Sequence, residues 1–159
     1  MTFDATTEPL VIHPGDQSGV PLGTSGRGRL RIYTQGPDLT GFALVDALHQ
    51  PGEPKIRDHV HSRHDETFII FAGTYRIRLG DEVVTARPGD VAFVPRGTAH
   101  TFRNVDTSPG RMLNIVSPAD GVELLRELAE LMRSGPTEVT LVEIHARHGA
   151  ALVDPLPDW

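Results

Sequence analysis

Cysteine is absent from all 159 residues, which excludes disulfides and thiolate-bound metals alike, so any ion must be held by nitrogen and oxygen. No run of eighteen or more apolar residues occurs, so no membrane-spanning helix and no membrane partner are expected. The opening MTFDATTEPL lacks the basic and apolar regions of an export signal, and a cytoplasmic location is expected. Positive charge is sparse too: the formal net charge is −6, against the concentrated basic surface that phosphate binding requires, so nucleic acid is not expected as a partner. The nearest exception, Arg27, Arg29 and Arg31, shares one face of a strand and reads as a solvated face.

Histidine at particular spacings is what the chain does have. In the stretch HVHSRHDETFIIFAG, His59 and His61 are two apart, so on a β-strand both imidazoles leave the same face. Glu66 follows a short polar turn and opens a second apolar run, and the two runs are expected to pair as a hairpin that brings its carboxylate beside the imidazoles. A lone strand histidine is ordinarily just a hydrogen-bonded polar residue. Company downstream lifts this stretch above that reading: GDVAFVPRGTAHTFRN predicts a strand over Asp90 to Val94, a turn at Pro95 to Gly97, and a further strand entered by His100. His100 is thereby a fourth candidate ligand.

At these residues the chain resembles the cupins. His59, His61, Glu66 and Gly73 meet the family's first motif, and Gly89, Pro95, Gly97, His100 and Asn104 meet its second. The resemblance covers about Gly41 to Ser117 and departs at Glu53, where a glycine is often found, with Gly52 beside it.

Short strands separated by Gly/Pro turns every eight to twelve residues predict an all-β double-sheet barrel, and the resemblance implies the same jelly-roll form, a double-stranded β-helix. One domain over residues 1–159 is expected, with the barrel at about 10–117 and two helices packed outside it at 118–149. Within it, Met1 to Glu8 reads as loose, Leu10 to His13 as a strand, and Gln17 to Gly28 as a loop. Tyr75, Ile77 and Leu79 share one strand face, leaving Arg76 and Arg78 to solvent. Helical spacing of Val122, Leu124, Leu125, Leu128, Leu131 and Met132 predicts a helix over Asp120 to Ser134. A second, Glu138 to His148, starts at Thr137, with Val139, Val142, Ile144 and Ala146 partly periodic and His145 and His148 as surface residues. His49 reads as structural, and His64 as a residue beside the ligands.

Three imidazoles and one carboxylate suit a single divalent transition ion, Fe, Mn, Ni, Cu, Co or Zn, with one or two positions left open for a small-molecule substrate. Glu66 is then the candidate catalytic base as well as a ligand. Phe42, Phe68, Phe93 and Phe102 are the candidate substrate-binding residues, an apolar seat for a ring. The resemblance is greatest to single-domain cupin dioxygenases of the quercetinase type, which implies ring cleavage of a flavonol-like substrate by O2. Two other classes stay open: a non-redox cyclase, isomerase or lyase using the ion as a Lewis acid, and a non-enzymatic ligand-binding module. A homodimer is expected through Thr67, Ile69 and Phe71 on an outer strand.

Overall fold

The computed structural model describes residues 20–22, 27–33, 41–131 and 137–157. Eleven strands and two α-helices lie among them: β1 (Val20–Leu22), β2 (Gly28–Tyr33), β3 (Ala43–His49), β4 (His59–His61), β5 (Asp65–Ala72), β6 (Tyr75–Leu79), β7 (Glu82–Ala86), β8 (Val91–Val94), β9 (His100–Asn104), β10 (Gly110–Ser117), α1 (Val122–Leu131), α2 (Glu138–Arg147) and β11 (Ala150–Leu152). They form two antiparallel sheets, ordered β1-β2-β3-β10-β5-β8 and β11-β4-β9-β6-β7, the double-stranded β-helix expected. The expected strand at Leu10 to His13, the loose Met1 to Glu8 and the end of the first helix at Ser134 lie outside the described residues. Val20–Leu22, expected as loop, instead pairs with β2.

Alternation sets what faces inward. Along β3 the odd residues Ala43, Val45, Ala47 and His49 are buried and Leu44, Asp46 and Leu48 are half-buried; β10 buries Gly110, Met112, Asn114 and Val116. The apolar members gather in two clusters, one of Leu30, Ile32, Ala43, Val45, Val116, Ala119 and Val122, the other of Phe68, Ile70, Tyr75, Ile77, Ala86, Val94 and Met112. Asn114 lies on β10 between Met112 of one cluster and Val116 of the other, a polar layer inside an apolar interior.

The two helices pack through Leu124, Ile144 and Ala150. Thr137 caps α2, its hydroxyl oxygen accepting from the Thr140 N–H at 3.2 Å. The inward stripe of α2 runs from half-buried Leu141 through buried Ile144 and His145 to half-buried His148 at its C-cap, spaced i, i+3, i+4, i+7; Val139 and Val142 are exposed. His145 is therefore 4% exposed and not the surface residue expected. After α2 the chain turns at Gly149 and adds β11 to the edge of β4, with Ala150 opposite His61 and Leu152 opposite His59.

Arg78 also departs from expectation. It is buried, with Nη1 donating to Asp58 and to the Asp154 carbonyl, and Nε to the Gly80 carbonyl. The segment before β4 and the C-terminal tail cover what sequence alternation assigned to solvent, and Val153 N donates to Asp58 O at 2.9 Å across that cover.

Gly73 closes the first motif for a steric reason. Its φ is +84°, and a Cβ there would lie 2.7 Å from the Gly110 Cα and 3.2 Å from Asn104 Oδ1. Gly73→Ala is expected to cost about 2 kcal/mol or more, from left-handed strain together with a backbone clash, read as a lowered midpoint in chemical denaturation with no change in slope.

Candidate metal centre

The hairpin expected between the histidines and Glu66 does not form. β4 is bonded on one side to β9, with His59 directly opposite His100, and on the other to β11, so both its edges are taken. The chain crosses through residues 62–64 to the other sheet, where β5 pairs with β8 and β10. Glu66 thus meets the histidines across the barrel from the facing sheet.

The convergence itself is as expected. One ligand atom from each of His59, His61, Glu66 and His100 lies within 4.8 Å of all the others, and all four residues are buried. Ring centroids stand 4.4 Å apart for His59 and His100, 4.8 Å for His59 and His61, and 4.8 Å for His61 and His100. His59 donates Nδ1–H to the Arg57 carbonyl at 2.8 Å, and His100 donates Nδ1–H to the Thr98 carbonyl at 3.0 Å. At His59 this bond holds the tautomer that leaves Nε2 bare for a cation; at His100 it fixes the ring with Nε2 turned to Glu66, where a cation would replace the Nε2 proton.

The protonation states fit the same use. Burial lowers His59 to about 3 and His61 to about 2, keeping both neutral with lone pairs available. Burial alone would push Glu66 up, but the hydrogen bond and charge of His100 and the hydrogen bond from Asn114 outweigh it, holding the carboxyl far below its usual range. Burial disfavours charge on His100, yet the hydrogen bond and charge of Glu66 raise it overall; Nε2 donates to Glu66 Oε2 at 3.0 Å. Three imidazoles and one ionised carboxylate, preorganised and buried, match a divalent transition ion.

Asn114 was missed in the sequence. Its amide donates to Glu66 Oε1 at 2.7 Å and fixes the plane of the carboxylate. The signal was there: on β10 it is the polar residue at an inward position flanked by Met112 and Val116. Asp65, one residue before Glu66, accepts from Arg96 N and Nε and pairs with Nη2 at 2.8 Å, tying the start of β5 to the turn that leads to His100. Asn104 of the second motif has a structural part, its amide donating to the His49 and Ser108 carbonyls. His49 is structural too, its Nδ1 2.9 Å from the Tyr75 hydroxyl.

The aromatic seat is corrected. Phe42 and Phe93 point outward, each 59% exposed; Phe93 pairs with Thr67 on the outer face of β5, and Phe42 precedes inward-facing Ala43. Phe68 and Phe102 do face inward, 4.9 Å apart, with Phe68 6.1 Å from His100. They pack there in the apolar cluster beneath the histidines.

Two further imidazoles border the centre. His64 stacks on His61 at 4.0 Å, and His145 meets His59 edge-on at 6.0 Å while donating Nδ1–H to the Leu141 carbonyl at 2.7 Å. Burial lowers the pKa of both.

Comparison with known proteins agrees with this geometry. The Cupin domain family model matches residues 47–116. Quercetin 2,3-dioxygenase of Bacillus subtilis is 28% identical over 88 residues, 55% of this chain and 26% of that enzyme. An uncharacterised protein of Aquifex aeolicus is 36% identical over 69 residues, 43% of this chain and 56% of that protein. The matched stretches thus span about a quarter and about half of these relatives. Among solved structures, a double-stranded β-helix protein of Klebsiella pneumoniae superposes with a TM-score of 0.56 at 19% identity, over 71% of this chain and 93% of that one. Among the described residues no helix is long and apolar enough to cross a membrane. Residues 47–116, which match the Cupin domain family model, hold both motifs and all four converged donors, and they lie in a two-sheet barrel.

Proposed function

We propose that this protein is a metal-dependent dioxygenase acting on a small aromatic or other enolisable molecule. The observation that carries the metal-dependent part is the buried cluster of His59, His61, Glu66 and His100, which brings one ligand atom of each within 4.8 Å of the others. The similarity to a quercetin 2,3-dioxygenase supports the oxidative part. A divalent ion held there supplies Lewis acidity and, if redox-active, a route to dioxygen. Glu66 is the group placed to take the substrate's hydroxyl proton, because once His100 no longer donates to it, burial raises its affinity for a proton. Asn114 holds the other carboxylate oxygen still during that transfer. Phe68 closes the apolar floor beside His100.

Oxygen consumption tests the reading. Protein loaded in turn with Fe(II), Mn(II), Ni(II), Co(II) and Cu(II) and given flavonols is expected to take up O2 in step with substrate loss for at least one ion. Silence across the set counts against it. Substrate conversion with no oxygen uptake supports the second reading, a non-redox cyclase, isomerase or lyase, which His64 and His145 favour because they add acid–base groups beside the ligands.

We propose also that a second copy covers the outer face of the larger sheet. Leu44, Ile115, Thr67 and Phe93 form one continuous row across four strands, and Leu113, Ile69 and Val91 a second. Phe71 and Val91 are 53% and 60% exposed, like Phe42 and Phe93 beside them. At ~150–250 Å² per aromatic side chain the three phenylalanines, together with the smaller Val91, expose roughly 400 Å². The half-buried residues between them bring the face toward the ~800 Å² per partner of a stable interface. Sedimentation should give a dimer for the parent and a monomer for Phe93→Glu; a monomeric parent rejects the interface.

A further inference from the structure

We infer that His64 is a ligand-binding residue, hydrogen-bonded to an oxyanion or enolate oxygen of the molecule that binds beside the four-donor centre. The inference rests on the metal-dependent reading above and goes beyond it, since His64 belongs to neither cupin motif. His64 is 3% exposed, and its Nδ1 is fully enclosed without a hydrogen-bond partner. Other buried histidines are satisfied: His49 by Tyr75, His59 by Arg57, His100 by Thr98 and Glu66, and His145 by Leu141. Among the described residues, the buried imidazoles without a hydrogen bond are His61, one of the four donors, and His64, stacked against it with a 31° tilt. Nitrogens left bare inside a protein are costly unless something else meets them, and at His61 that something is a cation.

The position is built rather than incidental. Gly121, in the 3-10 turn Ala119–Gly121, makes the room: a Cβ on it would lie 2.5 Å from His64 Cγ, 2.6 Å from Nδ1 and 2.8 Å from Val116 Cγ1. Val116 belongs to the aliphatic cluster on the side of the ligands away from Phe68 and Phe102, so the ring is wedged between apolar atoms and a metal donor. An imidazole in such a place, with one N–H and one lone pair unclaimed, suits a small molecule whose charged oxygen sits next to the ion and whose carbon frame rests on aliphatic side chains.

Azide, a small anion that competes for an open position on an ion, is the probe. Parent, His64→Phe, His64→Asn and His64→Gln are loaded with Cu(II), the divalent ion that nitrogen and oxygen sites hold most tightly, and titrated with azide by absorption. The expected result is full Cu(II) content in all four, a roughly tenfold weaker azide affinity for His64→Phe, and recovery in one amide variant. Asparagine restoring it identifies Nδ1 as the donor, and glutamine Nε2. Unchanged azide affinity in His64→Phe, weakening that neither amide repairs, or loss of Cu(II) from His64→Phe each overturns the inference while leaving the metal-dependent reading standing. A parent that binds no Cu(II) overturns both. Should His64→Phe fail to fold, Gly121→Ala, which displaces the ring from outside the motif, is expected to weaken azide to the same degree; an unaltered affinity there rejects the assignment.

Discussion

His61→Ala should leave a folded barrel that carries less than a tenth of the parent's metal. What the side chain contributes is one of four donor atoms, and the fold asks little else of it. The backbone of His61 accepts from Gly97 N at 2.6 Å and pairs with Ala150 whatever the side chain is. With burial holding His61 neutral, its loss strands no charge. Three donors remain, of which His100 then has Glu66 as its readiest partner, so the carboxylate reverts to an imidazolium ion pair and is less available to a cation. Elemental analysis of protein purified without added metal or a chelating tag reads the first quantity, and a circular-dichroism melt the second. Metal retained at parental stoichiometry would reject the ligand set. Loss of the fold along with the metal would show instead that the ion holds the barrel together.

The same pair sets the direction of pH dependence. His59 and His61 are held at about 3 and about 2, so neither carries a second proton near neutrality. His100 is raised by Glu66, so below its raised pKa a binding ion must expel its proton. Metal affinity is expected to climb by about tenfold per pH unit as pH rises toward that pKa, and to level off above it. Titrating a divalent ion into the protein at several pH values checks this; an affinity flat with pH would mean that His100 binds no proton in the metal-free fold.

How far the site could be read in the sequence differs residue by residue. His59, His61, Glu66 and His100 were legible because coordination chemistry restricts the residue types and the strand repeat restricts their spacing. Which sheet each strand joins was not, because β4 has three residues and owes its place to β11, a partner ninety residues away with no strand signature of its own. The hairpin expectation used nearness in sequence where the fold used distance. For Phe42 the alternation in β3 was plain, but which of its two faces is interior depended on β2 and β10. Phe93 would have been read as outward had its register against Thr67 been known, since Thr67 was already assigned to the outer face. Asn114 shows the reverse case: one polar residue among inward apolar neighbours was visible, and only the approach of β5 gave it Glu66 as a partner.

Asp58→Ala should cost about 3–5 kcal/mol, among the largest effects of any single change outside the metal ligands. Arg78 and Asp58 are 6% and 5% exposed, and they bond to each other beneath the segment that leads into β4 and the tail that follows β11. Removing the carboxylate leaves a guanidinium in the interior with two backbone carbonyls, of Gly80 and Asp154, and no countercharge. At about 2–4 °C per kcal/mol for a chain of this size, the melting temperature should fall by roughly 10 °C. The double change Asp58→Leu with Arg78→Met should recover most of that loss, because the penalty lies in the orphaned charge more than in the absent pair. A double-mutant cycle followed by thermal unfolding separates the two contributions. If Asp58→Ala alone melts as the parent does, water reaches Arg78 and the tail does not seal the outer face of the smaller sheet. Metal content in the same variant then tells whether that seal also holds His59: its Nδ1 partner, the Arg57 carbonyl, sits one residue before Asp58, so a loosened segment should release the imidazole's tautomer lock and weaken metal binding by about 10- to 100-fold.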